Sequence, residues 1–140
     1  MNEQEFKQRT KQFGIQVIRL LDDLPNKRTT DVLARQLLRA ATSIGANYRA
    51  ACRGRSVADV VAKLGVVEEE TDESLYWLEV LTEAGLVSHG QVTGLIADAD
   101  EILAMTAASI KTLRHRKDKE DSRVLGFQSK IQNPKSKITQ

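Results

Sequence analysis

Aromatic side chains are scarce in this chain: three Phe, two Tyr and one Trp make 4% of 140 residues. A surface that stacks single-stranded bases needs several exposed rings, so that mode of recognition is disfavoured from the outset. Proline occurs only at Pro25 and Pro134, and no Val/Ile/Thr-rich alternating stretch of the kind a strand needs is present. The single Cys52 leaves no internal disulfide and fits a reducing compartment. No apolar run approaches the roughly 20 residues of a membrane span, and the opening "MNEQEFKQ" is polar and mixed in charge, unlike a secretory signal. The expectation is a cytoplasmic protein with no membrane contact.

Catalytic motifs are missing as well. Neither a Gly-rich phosphate loop nor a Ser-x-x-Lys arrangement occurs. The acidic "EEETDE" at 68–73 invites comparison with di-iron bundles, but those use Glu-x-x-His pairs, and neither His89 nor His115 has a Glu three residues before it. Cys52 stands beside Arg53, which would lower its pKa, yet it has no sequence-placed partner and reads better as a packed small residue. No metal, no cofactor and no enzymatic activity are expected.

What is present is helical punctuation. Phe6, Phe13, Val17, Leu20 and Leu24 share one face of a first helix over about 5–23, stopped by "LP". "NKRTT" forms the loop, with Thr29 or Thr30 as N-cap. A second helix over about 31–53 buries Leu33, Leu37, Ala40, Ala41, Ile44, Tyr48 and Ala51, with Gly54 at its C′ position. Ser56 and Asp59 open a third helix over about 57–84, whose stripe is Val57, Val60, Leu64, Val67, Thr71, Leu75 and Leu78. Gly85 closes it, and a Ser88-x-x-Gln91 capping box opens a fourth over about 89–115. This predicts an all-α, antiparallel up-down-up-down four-helix bundle over 1–117. Residues 118–140 have no periodic face and are expected to be a basic, flexible C-terminal tail.

The net charge of +2 conceals segregation. Lys27 to Lys63 holds eight basic residues against Asp31 and Asp59; Leu64 to Ile110 holds ten acids and no Lys or Arg; Lys111 onward holds nine basic residues against three acids. Blocks of alternating sign are expected to meet, within one chain or between subunits. On a helical wheel Arg35, Arg39, Arg49 and Arg53 fall within roughly 80° of arc, opposite the buried stripe. A solvated face explains that placement, but a guanidinium fork suits carboxylate and phosphate alike. Lys27, Arg28, Arg55 and the tail could add phosphate contacts, and with no sequence-reading motif in view any such contact is to backbone.

The third helix also carries apolar residues off its core stripe. Val66, Trp77, Val80, Leu81 and Ala84 are interleaved with Glu69, Glu70 and Glu73. Scattered surface apolars are ordinary, but a tryptophan gathered with aliphatics inside an acidic rim points to a subunit interface. The candidate interface residues are Val66, Glu70, Glu73, Trp77, Val80 and Leu81, and an oligomer is expected.

The blocks "QLLRAATSIGANYRAACRGRS" and "KLGVVEEETDESLYWLEVL", with "FKQRTKQFGIQVIRLLDDLP" before them, resemble the four-helix-bundle proteins encoded by intervening sequences in bacterial 23S ribosomal RNA genes. The resemblance covers about residues 5–115 and leaves the tail outside. It implies a bundle assembled into a ring, a homopentamer. It also implies kinship with the accessory variability determinant of diversity-generating retroelements, whose basic barrel binds nucleic acid and a reverse transcriptase. Arg35, Arg39, Arg49, Arg53 and Arg55 match basic positions of the family's motif, whereas the acidic stretch 64–110 departs from a nucleic-acid-binding surface. Two functions stay open: a non-enzymatic ring that holds RNA or DNA by its backbone, and a structural adaptor whose arginines serve internal and intersubunit carboxylates. Its partners would be other copies of itself, RNA or DNA, and a reverse transcriptase or another protein.

Overall fold

A computed structural model describes residues 1–132, and within them every regular element is a helix. The order is α1 Glu3–Asp22, α2 Arg28–Ala51, α3 Val57–Glu83 and α4 His89–Gln132. Each helix packs on its neighbour in sequence, and α4 closes on α1.

Local chemistry accounts for most of the boundaries. Asn2 opens α1 with a reciprocal capping box: its Oδ1 accepts from the Glu5 N–H at 2.8 Å, and its own N–H donates to the Glu5 carboxylate at 3.3 Å. Ser56 accepts from the Asp59 N–H at 3.0 Å to start α3, and Ser88 and Gln91 exchange the two expected bonds at the start of α4. Gly85 has φ +75° and ends α3. Its N–H donates to the Thr82 carbonyl while that of Leu86 donates to the Leu81 carbonyl, both at 3.0 Å. Only a residue without Cβ takes that conformation at no steric cost.

Three boundary expectations are corrected. α2 starts at Arg28, with Lys27 as an N-cap that makes no side-chain bond; Thr30 is buried in its first turn instead of capping it. Gly54 follows α2 without a positive φ. Its missing side chain is explained by crowding, because a Cβ there would collide with the Val60 side chain of the next helix. The fourth helix does not stop near 115 but runs on to Gln132. Residues 133–140 of the expected tail lie outside the described residues.

Phe13, Val17, Leu37, Ile44, Val67, Leu78, Leu81, Val92 and Ile102 form the buried centre. Threonines sit among them without leaving orphan hydroxyls. Thr10, Thr71 and Thr106 each donate to the carbonyl four residues earlier, at 3.0, 2.6 and 2.7 Å. Of the expected core positions, Leu33, Tyr48, Leu75, Val57 and Val60 are only half-buried, and the Tyr48 ring stands edge-on to Phe6 with centroids 4.6 Å apart. As α1 advances from Phe6 through Lys11 to Gly14, its partners on α2 recede from Tyr48 through Gly45 to Ala41.

Candidate functional site

The arginines of α2 stand on its solvated arc, but that arc has two flanks, one toward α3 and one toward α1, and they behave differently. Arg39 leans toward α3. Its guanidinium reaches Glu70 Oε1 at 3.4 Å and Glu73 Oε2 at 2.5 Å, and the same Glu73 oxygen accepts from Trp77 Nε1 at 3.3 Å. Glu70 is mostly buried, with its second oxygen, Oε2, enclosed and unpartnered. Arg39 is therefore committed to neutralising its own chain.

Arg49 lies on the other flank. Together with Arg53 and with Lys7 and Lys11 of α1 it lines an open groove of about 600 Å³ between α1 and α2. Two glycines floor the groove where the helix backbones come close: a Cβ on Gly14 would stand 3.4 Å from the Ala41 carbonyl oxygen, and one on Gly45 would stand 3.4 Å from the Lys11 nitrogen, room for a methyl but not for a long side chain. Thr42 and Ala46 keep the rest of the floor low, and Ile15 and Ile18 line its far end. No acid lines it. Lys7 is shared with Glu3 at 3.4 Å; among the described residues Lys11, Arg49 and Arg53 have no carboxylate within ion-pair distance. Arg35 is exposed and equally without an ion pair there. Arg55 sits in the α2–α3 turn, where its N–H donates to Asp59 Oδ2 at 3.3 Å. That bond and, above all, the Lys63 ammonium at 2.8 Å hold the Asp59 carboxyl below its usual range.

The basic groove thus takes two of the five predicted arginines, Arg49 and Arg53, and adds two lysines that the sequence reading missed. Their signal was available: Lys7 and Lys11 are spaced i, i+4 on the same side of α1 as Gly14 and Ile18. Also missed was Arg9, which ties α1 to α4 through Glu101 and, at 3.3 Å, Asp98. Its hydrogen bond to Glu101 raises its pKa further. Nothing local marks Arg9, since its partners lie some ninety positions away.

The candidate interface residues on α3 separate too. Leu81 is fully buried inside the single chain and belongs to the core, a correction: the turn after Gly85 folds Val87 and α4 across that side of α3. Trp77 is half-buried and packs on the same core, Glu70 and Glu73 are engaged with Arg39, and Val66 and Val80 are half-buried. Tyr76 is the ring left outside, 56% exposed and edge-on to Trp77 with centroids 5.0 Å apart. It borders a groove between α3 and α4 lined by Asp72, Glu79, Glu83, Asp100 and His89, with no Lys or Arg.

Cys52 is half-buried at the end of α2, and burial pushes its thiol up, outweighing the Tyr48 hydroxyl that lowers it. The lowering expected from Arg53 is not what governs it. Among the described residues no group of three His, Cys, Asp or Glu is placed to hold a metal ion, and no helix is long and apolar enough to cross a membrane.

The family model described as "23S rRNA-intervening sequence protein" matches residues 2–108. A solved structure from Bacteroides thetaiotaomicron, described as a protein of unknown function from the S23 ribosomal protein family, is 32% identical to this chain. It covers 79% of this chain and 99% of its own, with a TM-score of 0.74. No curated protein matches. With the family model spanning the first three helices and the fourth as far as residue 108, this chain belongs to the 23S rRNA-intervening sequence protein family.

Proposed function

We propose that this protein is a non-enzymatic cytoplasmic bundle of antiparallel up-down-up-down topology that associates into a ring and holds RNA or DNA by its backbone. The observation that carries this reading is the α1/α2 groove, where Lys11, Arg49 and Arg53 stand together with no acid in the lining. Closely set cations without counter-charges neutralise phosphates and release the cations condensed on the nucleic acid, and several copies around a ring multiply the effect. Five copies is the number the family resemblance suggests. Base-specific contacts play no part, so affinity is broad in sequence and steep in salt.

The test is anisotropy of a labelled 30-nucleotide RNA and its DNA counterpart at low and moderate salt. Binding should weaken as salt rises, and the Lys11→Glu/Arg49→Glu variant should flatten the log–log salt slope by about 1 for each cation removed. No binding at low salt, or a slope indifferent to that variant, overturns the proposal.

The second reading is an adaptor whose basic and acidic grooves meet across subunits and whose ligand is a protein, with a reverse transcriptase the candidate suggested by resemblance. The opposite charge of the α3/α4 groove favours it. Reversing Arg49 separates the readings: the oligomer persists and nucleic-acid affinity falls under the first, whereas the oligomer dissociates under the second. Arg39 does not discriminate, because its partners are in its own chain.

A further inference from the structure

α4 has 44 residues and α3, its longest neighbour, has 27. Their shared packing ends near Leu113, which joins Ile110 in a small cluster with Val60 and Val61 from the start of α3. From Arg114 to Val124 every residue of α4 is exposed. At 1.5 Å per residue this stretch reaches roughly 16 Å past the packed end of the bundle.

Such an arm could serve a protein or a polyanion, and its residues decide between them. A helix that docks on another helix needs an apolar stripe, and between Arg114 and Val124 the sole apolar residue is Val124 at the far end, one residue and not a stripe. Charge is arranged instead. At 100° per residue, Arg116, Lys119 and Arg123 fall inside roughly 60° of arc that holds no Asp or Glu, while Lys111 and His115, beside that arc, line a separate cleft with Glu68 of α3 and Asp118. Asp118, Glu120 and Asp121 lie on the remainder, where Asp121 takes up Lys117 at 3.4 Å. Neighbours in the i, i+4 series are about 6 Å apart along the axis.

The arm is also placed to continue the groove. Arg116 lines a cleft at the end of the bundle with Glu3 and Cys52, and Cys52 adjoins Arg53, which lines the α1/α2 groove. Glu3, the acid in this cleft, is held by Lys7. We infer that the projecting part of α4 extends the α1/α2 groove into one positive track, and that its ligand is a polynucleotide long enough to lie on both rather than a nucleotide or a lone phosphate. This rests on the nucleic-acid reading above and adds the length of the ligand to it.

The test uses the full chain and two labelled RNAs of mixed sequence, 8 and 30 nucleotides long, at two KCl concentrations. Lys119→Glu/Arg123→Glu should weaken the 30-mer about tenfold and flatten its salt slope by about 2, from the loss of two phosphate contacts. The 8-mer, which the groove alone accommodates, should change less than about twofold, and Lys119→Gln/Arg123→Gln should give a smaller loss of the same kind. Helicity by circular dichroism should stay unchanged, because both side chains are exposed. If Lys11→Glu/Arg49→Glu weakens both RNAs while the arm variants leave the 30-mer untouched, the groove stands and the track does not. Equal losses for both lengths in the arm variants also sink the track. Indifference of both RNAs to every variant sinks the groove as well.

Discussion

The groove between α1 and α2 and the groove between α3 and α4 are similar in size, about 600 and 620 Å³, and opposite in charge. Two lysines and two arginines line the first; four carboxylates and His89 line the second. The other two seams of the bundle carry the ion pairs between helices, Arg39 with Glu70 and Glu73 across α2/α3, and Arg9 with Asp98 and Glu101 across α1/α4. Where opposite charges adjoin, they neutralise one another; where like charges adjoin, they are left facing water. The acidic side follows from block order, because α3 and the first part of α4 share one acid-rich stretch and pack together. The basic side depends on placement within α1, whose four basic and three acidic residues nearly balance but whose Lys7 and Lys11 stand on the flank toward α2.

Substitutions on the two sides should act differently. The largest effect is expected from Leu81→Ala on the acidic side. It should lower stability to urea by about 2–5 kcal/mol, as for a buried leucine, and near-wild-type unfolding would return Leu81 to the surface. Next is the floor of the basic groove. Gly45→Leu should cost about 1–3 kcal/mol by overpacking against the Lys11 backbone, whereas Gly45→Ala should stay within about 1 kcal/mol, its contact balanced by better helix propensity. A flat response to Gly45→Leu would mean that the helices are free to separate there.

A smaller difference is expected between two arginines of one helix face. Arg39→Ala should destabilise by up to about 1 kcal/mol, as for a half-exposed ion pair, while Arg49→Ala should stay within about 0.5 kcal/mol. Equal losses in denaturant titrations would erase the distinction between the two flanks of α2. The smallest effect concerns pH. Burial, first, and the neighbouring Cys52 raise the Tyr48 hydroxyl well above its ordinary 10.0, so the folded chain holds that proton more tightly than the unfolded one. The stability this contributes is complete below pH 10 and is lost as pH rises beyond it. Tyr48→Phe should lessen alkaline destabilisation, and identical alkaline titrations of the two proteins would contradict the burial.

Much of this is legible in the amino-acid sequence. Capping residues announce themselves because an N-cap interacts with backbone only two or three positions away, and Ser56, Ser88 and Gly85 act as their spacing implied. Period 3.6 picked out Phe13, Leu37, Ile44, Val67 and Leu78, all of them at the centre. It erred for Leu81 because α3 is apolar on more than one side, so its wheel does not say which side the turn at Gly85 covers. It erred for the end of α4 because that stretch forms a helix with no buried face to give it a period.

Four helices, the starts of α3 and α4 and most of the buried stripes are written in the chain itself, since each depends on residues a few positions apart. Tertiary structure alone decided which cations meet an anion. Arg39 and Arg49 are the same residue type on the same exposed arc, and only the neighbour on each flank, an acidic helix for one and a lysine-bearing helix across two glycines for the other, makes the first an internal brace and leaves the second open to solvent.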